Sequence, residues 1–314
     1  MNHSESKALR KNLVDCLGGP FPDPCDLNPQ IRETIQKDGF RIESVTYEAE
    51  PGDAIPAYLL IPDSVSENNP APGIAVLHQH AGQWDLGKSE PAGLAGDPMH
   101  HTGEAFAKLG YVVLCSDALC FEDRQDPDQK LEGGDFERFE FLRYVVAGKS
   151  MAWKNVLDMR RSLDFLVSRP EVDVDQLGCY GHSMGSTHTW LVGPHEPRLK
   201  ALVGNCCLPT YSAIHEEKLL HCFPNFIPGW KQFGDTPEIA ALIAPRALHL
   251  NFGELDHGSP IEQARAGIER IEKAYADHGA AENFTHFIQP DVGHVLSDKM
   301  WKQTRDFFEK HLGL

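Results

Sequence analysis

The sequence predicts an α/β fold built on a mostly parallel, doubly wound sheet, and three observations carry that expectation. Short continuous apolar runs, the texture of strands buried on both faces, alternate with segments of helical periodicity. Two β-prone runs, Phe40 to Glu48 and Ala54 to Ile61, flank the turn-forming Pro51-Gly52-Asp53 and read as an antiparallel hairpin at the start of the domain. Finally, Gly181-His182-Ser183-Met184-Gly185 stands between an apolar run and a helical segment.

Residues 1–39 are expected to form an N-terminal helical arm, because short helical patterns are broken there by Gly18-Gly19-Pro20 and Pro22-Asp23-Pro24. Residues 40–314 form the main domain. After its hairpin come the strand runs Gly73 to Leu77, Tyr111 to Cys115, Leu177 to Tyr180, Ala201 to Gly204, Ala247 to Phe252 and Phe284 to Ile288. Hairpin and runs together predict a sheet of about eight strands. Ala152, Val156, Met159, Leu163 and Leu166 recur at steps of four and three and give one apolar face to a helix ending near Pro170. Ser259-Pro260 reads as an N-cap and first-turn proline for a helix that follows Ile261, Ala264, Ile268, Ile271 and Tyr275 and closes at Gly279. A last helix is expected from about Asp298 to His311. Between about 208 and 238, four prolines and several aromatics interrupt the rhythm, and a segment of that length reads as a cap or lid over a site.

Charge and composition narrow the function. The net charge of -17, from 29 basic and 46 acidic residues, opposes binding to a polyanion, so nucleic acid is not an expected partner. No run approaches the roughly 18 apolar residues of a membrane span. The start Met1-Asn2-His3-Ser4-Glu5-Ser6-Lys7 is not followed by the apolar stretch of a secretory leader, and a cytoplasmic location is the expectation. Eight cysteines, at 16, 25, 115, 120, 179, 206, 207 and 222, show no two-residue-spaced pair, and reduced thiols are expected, with Cys115 and Cys179 buried in strands.

In a doubly wound sheet, functional residues lie just beyond the carboxyl ends of strands. Ser183 meets that condition, and the flanking glycines suit the cramped turn on which such a serine sits. A serine hydroxyl needs a base to take its proton and a carboxylate to orient that base. In the loop after the strand at 284–288, His294 is positioned as the base; in the loop after 247–252, Asp256 is expected as the acid, with Glu254 as the substitute and Asp291 as a turn former. The oxyanion hole is expected from the backbone N–H of Met184 and that of His80, in His78-Gln79-His80-Ala81-Gly82. Trp84 and Trp230 are the expected substrate-binding aromatics.

The chain resembles the dienelactone-hydrolase-like and acetyl-xylan-esterase-like branches of the α/β-hydrolase superfamily over about residues 40–314. The likeness rests on the elbow, on Arg160-Arg161-Ser162-Leu163-Asp164-Phe165-Leu166 with Arg169-Pro170-Glu171-Val172-Asp173, and on Ile55-Pro56-Ala57-Tyr58-Leu59-Leu60-Ile61-Pro62. Dienelactone hydrolases use a cysteine where Ser183 stands, and the His-Gly pair usual in the oxyanion loop is His78-Gln79 here. The resemblance implies a serine esterase acting through an acyl-enzyme on a small-molecule ester, an acetyl ester of a carbohydrate among them, without a cofactor. Peptidase and acyltransferase share that intermediate, and a non-catalytic binding protein shares the fold. A zinc hydrolase drawing on His78-x-His80 and His100-His101 would leave the serine constellation without a role, and no metal is expected. Self-association into a homo-oligomer is compatible with the sequence.

Overall fold

The computed structural model describes residues 3–206 and 208–314; Met1, Asn2 and Cys207 lie outside the described residues. Among the described residues the strands are β1 (Gln30–Lys37), β2 (Phe40–Glu50), β3 (Asp53–Pro62), β4 (Ala71–Leu77), β5 (Val112–Ser116), β6 (Val172–His182), β7 (Leu199–Asn205), β8 (Ala247–Gly253) and β9 (Phe284–Gln289). They form one sheet in the order β1-β2-β3-β5-β4-β6-β7-β8-β9. Pairings from β1 to β5 along this order are antiparallel, and those from β5 to β9 are parallel.

The expected hairpin and six runs all appear as strands. The sheet exceeds the expected eight by β1, which lies inside the arm that the sequence reads as helical. Its residues alternate without an apolar face, Gln30-Ile31-Arg32-Glu33-Thr34, because the strand sits at the sheet edge with most side chains exposed. Among the described residues, the arm's helical part is α1 (His3–Leu17) alone.

The remaining helices are α2 (Thr102–Lys108), α3 (Gly133–Val146), α4 (Met151–Val167), α5 (Met184–Val192), α6 (Tyr211–Glu216), α7 (Thr236–Ala241), α8 (Ile261–Asp277) and α9 (Asp298–Leu312). The period-two pleat divides the core. Ala75 and Leu77 of β4 with Val112 and Leu114 of β5 face the layer of α4, α5, α7 and α8. Their neighbours Ile74, Val76, Val113 and Cys115 face α2 and α9 through Phe106, Met300, Phe307 and Phe308.

Two insertions cover the carboxyl edge of the sheet. One runs from β5 to α4 and contains α3; the other runs from β7 to β8 and contains α6 and α7. They meet where Phe141 of α3 stacks on Phe223, with ring centroids 4.6 Å apart. The base of the first insertion is tied down by ion pairs on two buried cations: Lys88 Nζ lies 2.8 Å from Asp117, 2.6 Å from Glu122 and 2.8 Å from the exposed Asp123, and Arg124 lies 2.7 Å from Asp158. In the second insertion, Asp235 caps α7 in a reciprocal capping box with Glu238. Helix α8 starts with Pro260 as its N-cap, and the Ser259 hydroxyl instead accepts the Leu208 N–H at 3.1 Å, holding the entry of this insertion. Cys115 and Cys179 are buried as expected, and among the described residues all seven cysteines are unpaired thiols. No described helix is long and apolar enough to cross a membrane.

Candidate active site

The turn from β6 into α5 is shaped by glycine. A Cβ on Gly181 would lie 2.0 Å from the Gly185 carbonyl oxygen, and one on Gly185 would lie 2.0 Å from the Leu77 carbonyl oxygen. Neither distance is sterically allowed, so a side chain at 181 would force the turn open and one at 185 would force it away from β4. Between them Ser183 adopts φ 57° and ψ -117°, a conformation disfavoured for any residue with a side chain. Its N–H is held by the Asn205 carbonyl at 2.8 Å, so the strain is sustained by β7.

This turn points the Ser183 hydroxyl toward the loop after β9. Ser183 Oγ lies 2.8 Å from His294 Nε2, and His294 Nδ1 lies 2.8 Å from Asp256 Oδ2. The three side chains come from the loops after β6, β8 and β9 and form one hydrogen-bond chain. Asp256 is 3 % exposed and its second oxygen accepts the Gly258 N–H at 2.8 Å, whereas the His294 side chain is 38 % exposed. The carboxylate is therefore sheltered while the imidazole reaches the surface. Glu254 instead accepts the Asp291 N–H at 3.3 Å and lies 3.7 Å from Arg265, and Asp291 sits at φ 57° in the turn.

Further side chains brace this row. The His182 ring lies between those of His294 and His100, with centroids 5.2 Å and 4.6 Å away. Asn205 donates to His182 Nδ1 at 2.6 Å and to the Val295 carbonyl at 3.4 Å, tying the end of β7 to the histidine loop. Burial pushes the His182 pKa well below the usual imidazole range, and it also lowers those of His100 and of His221, whose Nε2 donates to the Gly258 carbonyl at 2.7 Å. These neighbours stay neutral, so they do not oppose a positive charge on His294.

In the loop after β4, the Ala118 N–H donates to His78 Nε2 at 3.0 Å, which leaves His78 Nδ1–H to donate to the Gln79 carbonyl at 2.7 Å. The trans peptide then turns the His80 N–H away from the His78 ring. The His80 imidazole accepts the Gly82 N–H through Nδ1 and donates through Nε2 to Glu137 of α3 at 3.0 Å. Trp84 Nε1–H donates to the same Glu137 oxygen at 2.9 Å, and its ring covers Gly133 and Gly134 at the start of α3. His101 is occupied at the Ala95 carbonyl, 3.0 Å from Nε2.

One expected residue is displaced from the site. Trp230 is fully buried and its Nε1–H donates to the Asp235 carbonyl at 2.9 Å, so it packs the second insertion instead of facing a substrate. Glu137, Asn205 and His221 are site neighbours that sequence reasoning missed. Glu137 lies on a helix whose apolar residues fall on every side, which erases the periodic signal that would have drawn attention to it.

A sequence model of the Abhydrolase family matches residues 6–293. YtaP of Bacillus subtilis, named as a hydrolase, is 28 % identical over 316 residues, covering 98 % of this chain and all of that protein. Among solved structures, a Bacteroides fragilis protein described as an acetyl xylan esterase superposes with a TM-score of 0.73 at 20 % identity, over 90 % of this chain and 74 % of that one. A glucuronoyl esterase from Solibacter usitatus gives 0.70 at 15 % identity, over 96 % and 91 %. An acetyl xylan esterase from Paenibacillus sp. R4 gives 0.67 at 17 % identity, over 99 % and 96 %. At such identities the structural likeness establishes the fold, and the dienelactone side of the resemblance continues to rest on sequence motifs.

Proposed function

Because the chain belongs to the Abhydrolase family, we propose that it is a serine hydrolase that cleaves a carboxylic ester, with Ser183 as nucleophile, His294 as general base and Asp256 as the orienting carboxylate. The observation that carries this reading is the unbroken chain of two 2.8 Å hydrogen bonds from the Ser183 hydroxyl through His294 to sheltered Asp256.

In the first step His294 Nε2 takes the Ser183 proton as Oγ attacks the ester carbonyl. The developing oxyanion is held by the Met184 N–H, at the start of α5, and by the His80 N–H, whose orientation the His78 to Gln79 hydrogen bond supports. His294 then passes its proton to the alcohol, which leaves, and an acyl-enzyme remains. Water then attacks the acyl carbonyl as His294 takes its proton, and His294 returns that proton to Ser183 Oγ as the acyl–oxygen bond breaks and the acid is freed. Asp256 stabilises the imidazolium formed in each half-reaction.

The open face of His294 admits an ester with a part too large to be enclosed, and the acetyl xylan and glucuronoyl esterases of the same fold favour an ester that includes a carbohydrate. Trp84, fixed by Glu137 beside His80, is the aromatic surface offered to such a substrate. A working place in the cytoplasm belongs to the same proposal and is supported by the unpaired thiols. The net charge of -17 favours a small-molecule partner over nucleic acid.

The test is hydrolysis of p-nitrophenyl acetate, butyrate and octanoate by the wild type and by Ser183→Ala, with mass spectrometry after fluorophosphonate treatment. Wild type turns over at least one ester and carries one adduct at Ser183. The variant loses about 10⁴-fold or more in kcat and carries none, while keeping its melting temperature. Full activity in the variant, or a wild type that neither turns over nor labels, would overturn the proposal in favour of a different nucleophile or a binding role.

A further inference from the structure

Behind the His294 imidazole lies a third potential donor that the ester chemistry does not use. Cys206 follows β7 directly, with its backbone at φ 54° and its N–H on the Asn251 carbonyl at 2.9 Å. This places its buried thiol against the histidine loop, where Sγ lies 3.2 Å from the Val295 carbonyl. One ligand atom each from Cys206, Asp256 and His294 all fall within 4.8 Å of one another. Among the described residues, no other cysteine belongs to such a group.

We propose that Cys206, Asp256 and His294 form an inhibitory site for a thiophilic divalent cation, with zinc as the best-suited ion. A thiolate, an imidazole and a carboxylate are the donor types that zinc takes, and a fourth position can be filled by water. Donors around a tetrahedral zinc stand about 3.5 Å apart, so closing this group around an ion asks for side-chain shifts of about 1 Å. The other group of three acids, Asp117, Glu122 and Asp123, differs in that Lys88 Nζ already occupies its centre.

The consequence for the reaction follows from the tautomer of His294. In the resting chain Nδ1–H donates to Asp256 and the Nε2 lone pair is free to take the Ser183 proton. An ion between Cys206 and Asp256 binds through the Nδ1 lone pair, and the ring proton must then reside on Nε2. The imidazole donates to Ser183 and can no longer accept from it. The balance is Zn²⁺ plus the Cys206 thiol giving a zinc thiolate and one proton to solvent, with the histidine proton moved from Nδ1 to Nε2. No redox step is involved, and the ester-binding surface is unobstructed, so kcat falls while KM is unchanged.

The inhibitory consequence rests on the serine-esterase reading, whereas metal binding by these three side chains does not. Chelator-treated protein is titrated with Co²⁺ and followed by sulfur-to-cobalt charge-transfer absorption in the near ultraviolet, and ester hydrolysis is followed with added Zn²⁺. Wild type and the inactive Ser183→Ala both show the band, and zinc lowers wild-type kcat until a chelator restores it. Cys206→Ser, or Cys206→Ala should the first fail to fold, retains basal hydrolysis, loses the band, and needs about ten-fold or more zinc for half inhibition. An equal band or equal zinc sensitivity in the folded cysteine variant, or no band in wild type, overturns the site. A Cys206-dependent band in a protein that hydrolyses no ester keeps the metal site and defeats the esterase reading.

Discussion

Asp256 and Glu254 stand two residues apart on one loop, yet only Asp256 reaches His294. Its N–H turns back onto the Gly253 carbonyl at 3.2 Å, which carries the side chain inward, while Glu254 leans outward to the Asp291 N–H. Asp256→Asn therefore leaves the loop in place but presents an amide that can hold the wrong tautomer, and kcat/KM for a p-nitrophenyl ester should fall by about 10⁴-fold. Glu254→Gln should change it by less than about three-fold, as expected of an exposed loop residue. The opposite ranking would make Glu254 the functional acid. Ser183, Asp256 and His294 are legible in the sequence because each follows an apolar run by only a few residues, and their order matches strand ends along one edge. Trp230 is not legible in the same way: an aromatic in a proline-rich insertion can face either the site or the insertion's own interior, and burial decides which.

At the scale of elements, the N-terminal arm is bound into the domain more closely than its broken pattern suggests. Leu13 and Leu17 of α1 are fully buried. The Ser150 hydroxyl, which caps α4 by accepting the Trp153 N–H at 3.1 Å, also donates to the Leu17 carbonyl at 3.0 Å, and Trp153 Nε1–H donates to the Gly19 carbonyl at 3.1 Å. Deleting residues 1–19 uncovers the start of α4 and strips two leucines from the core, a loss of about 3 kcal/mol or more. Thermal unfolding followed by circular dichroism should show a melting temperature lower by about 5 °C or more. An unchanged transition would mean that the arm only lies on the surface. The central strands and α4, α8 and α9 are readable because burial on one or two faces imposes a period. Edge strand β1 and helix α3 are not, since one has no buried face and the other spreads its apolar residues over every side among its charges, with Phe139 and Val146 outward and Phe136 and Tyr144 inward.

The whole molecule carries a pH dependence that belongs to no single element. His78, His182, His188 and His249 are each at most 5 % exposed and distributed across the sheet and its flanking helix α5. Burial lowers the pKa of His78 to about 4, of His188 to about 3 and of His249 to about 4, and puts that of His182 well below the ordinary range. In the unfolded chain these groups titrate near about 6.5. Their neutral burial therefore contributes stability above that pH, and it is lost as pH falls from about 6.5 toward the folded values. Each contributes a slope of up to about 1.4 kcal/mol per pH unit within that window. The melting temperature should drop by about 5 °C or more between pH 7 and pH 5, and a flat profile would mean that the histidines take up protons without unfolding the chain.

The stacked rings of Phe141 and Phe223 join two insertions that enter the chain at different places, after β5 and after β7. Neither insertion interrupts a strand, so either can lengthen, shorten or be exchanged without disturbing the register that aligns Ser183, Asp256 and His294. What descendants of this protein accept can therefore diverge quickly while the reaction they perform is inherited unchanged. The trace of such divergence would be paired substitution at positions 141 and 223, a record of adaptation written at the rim instead of at the triad.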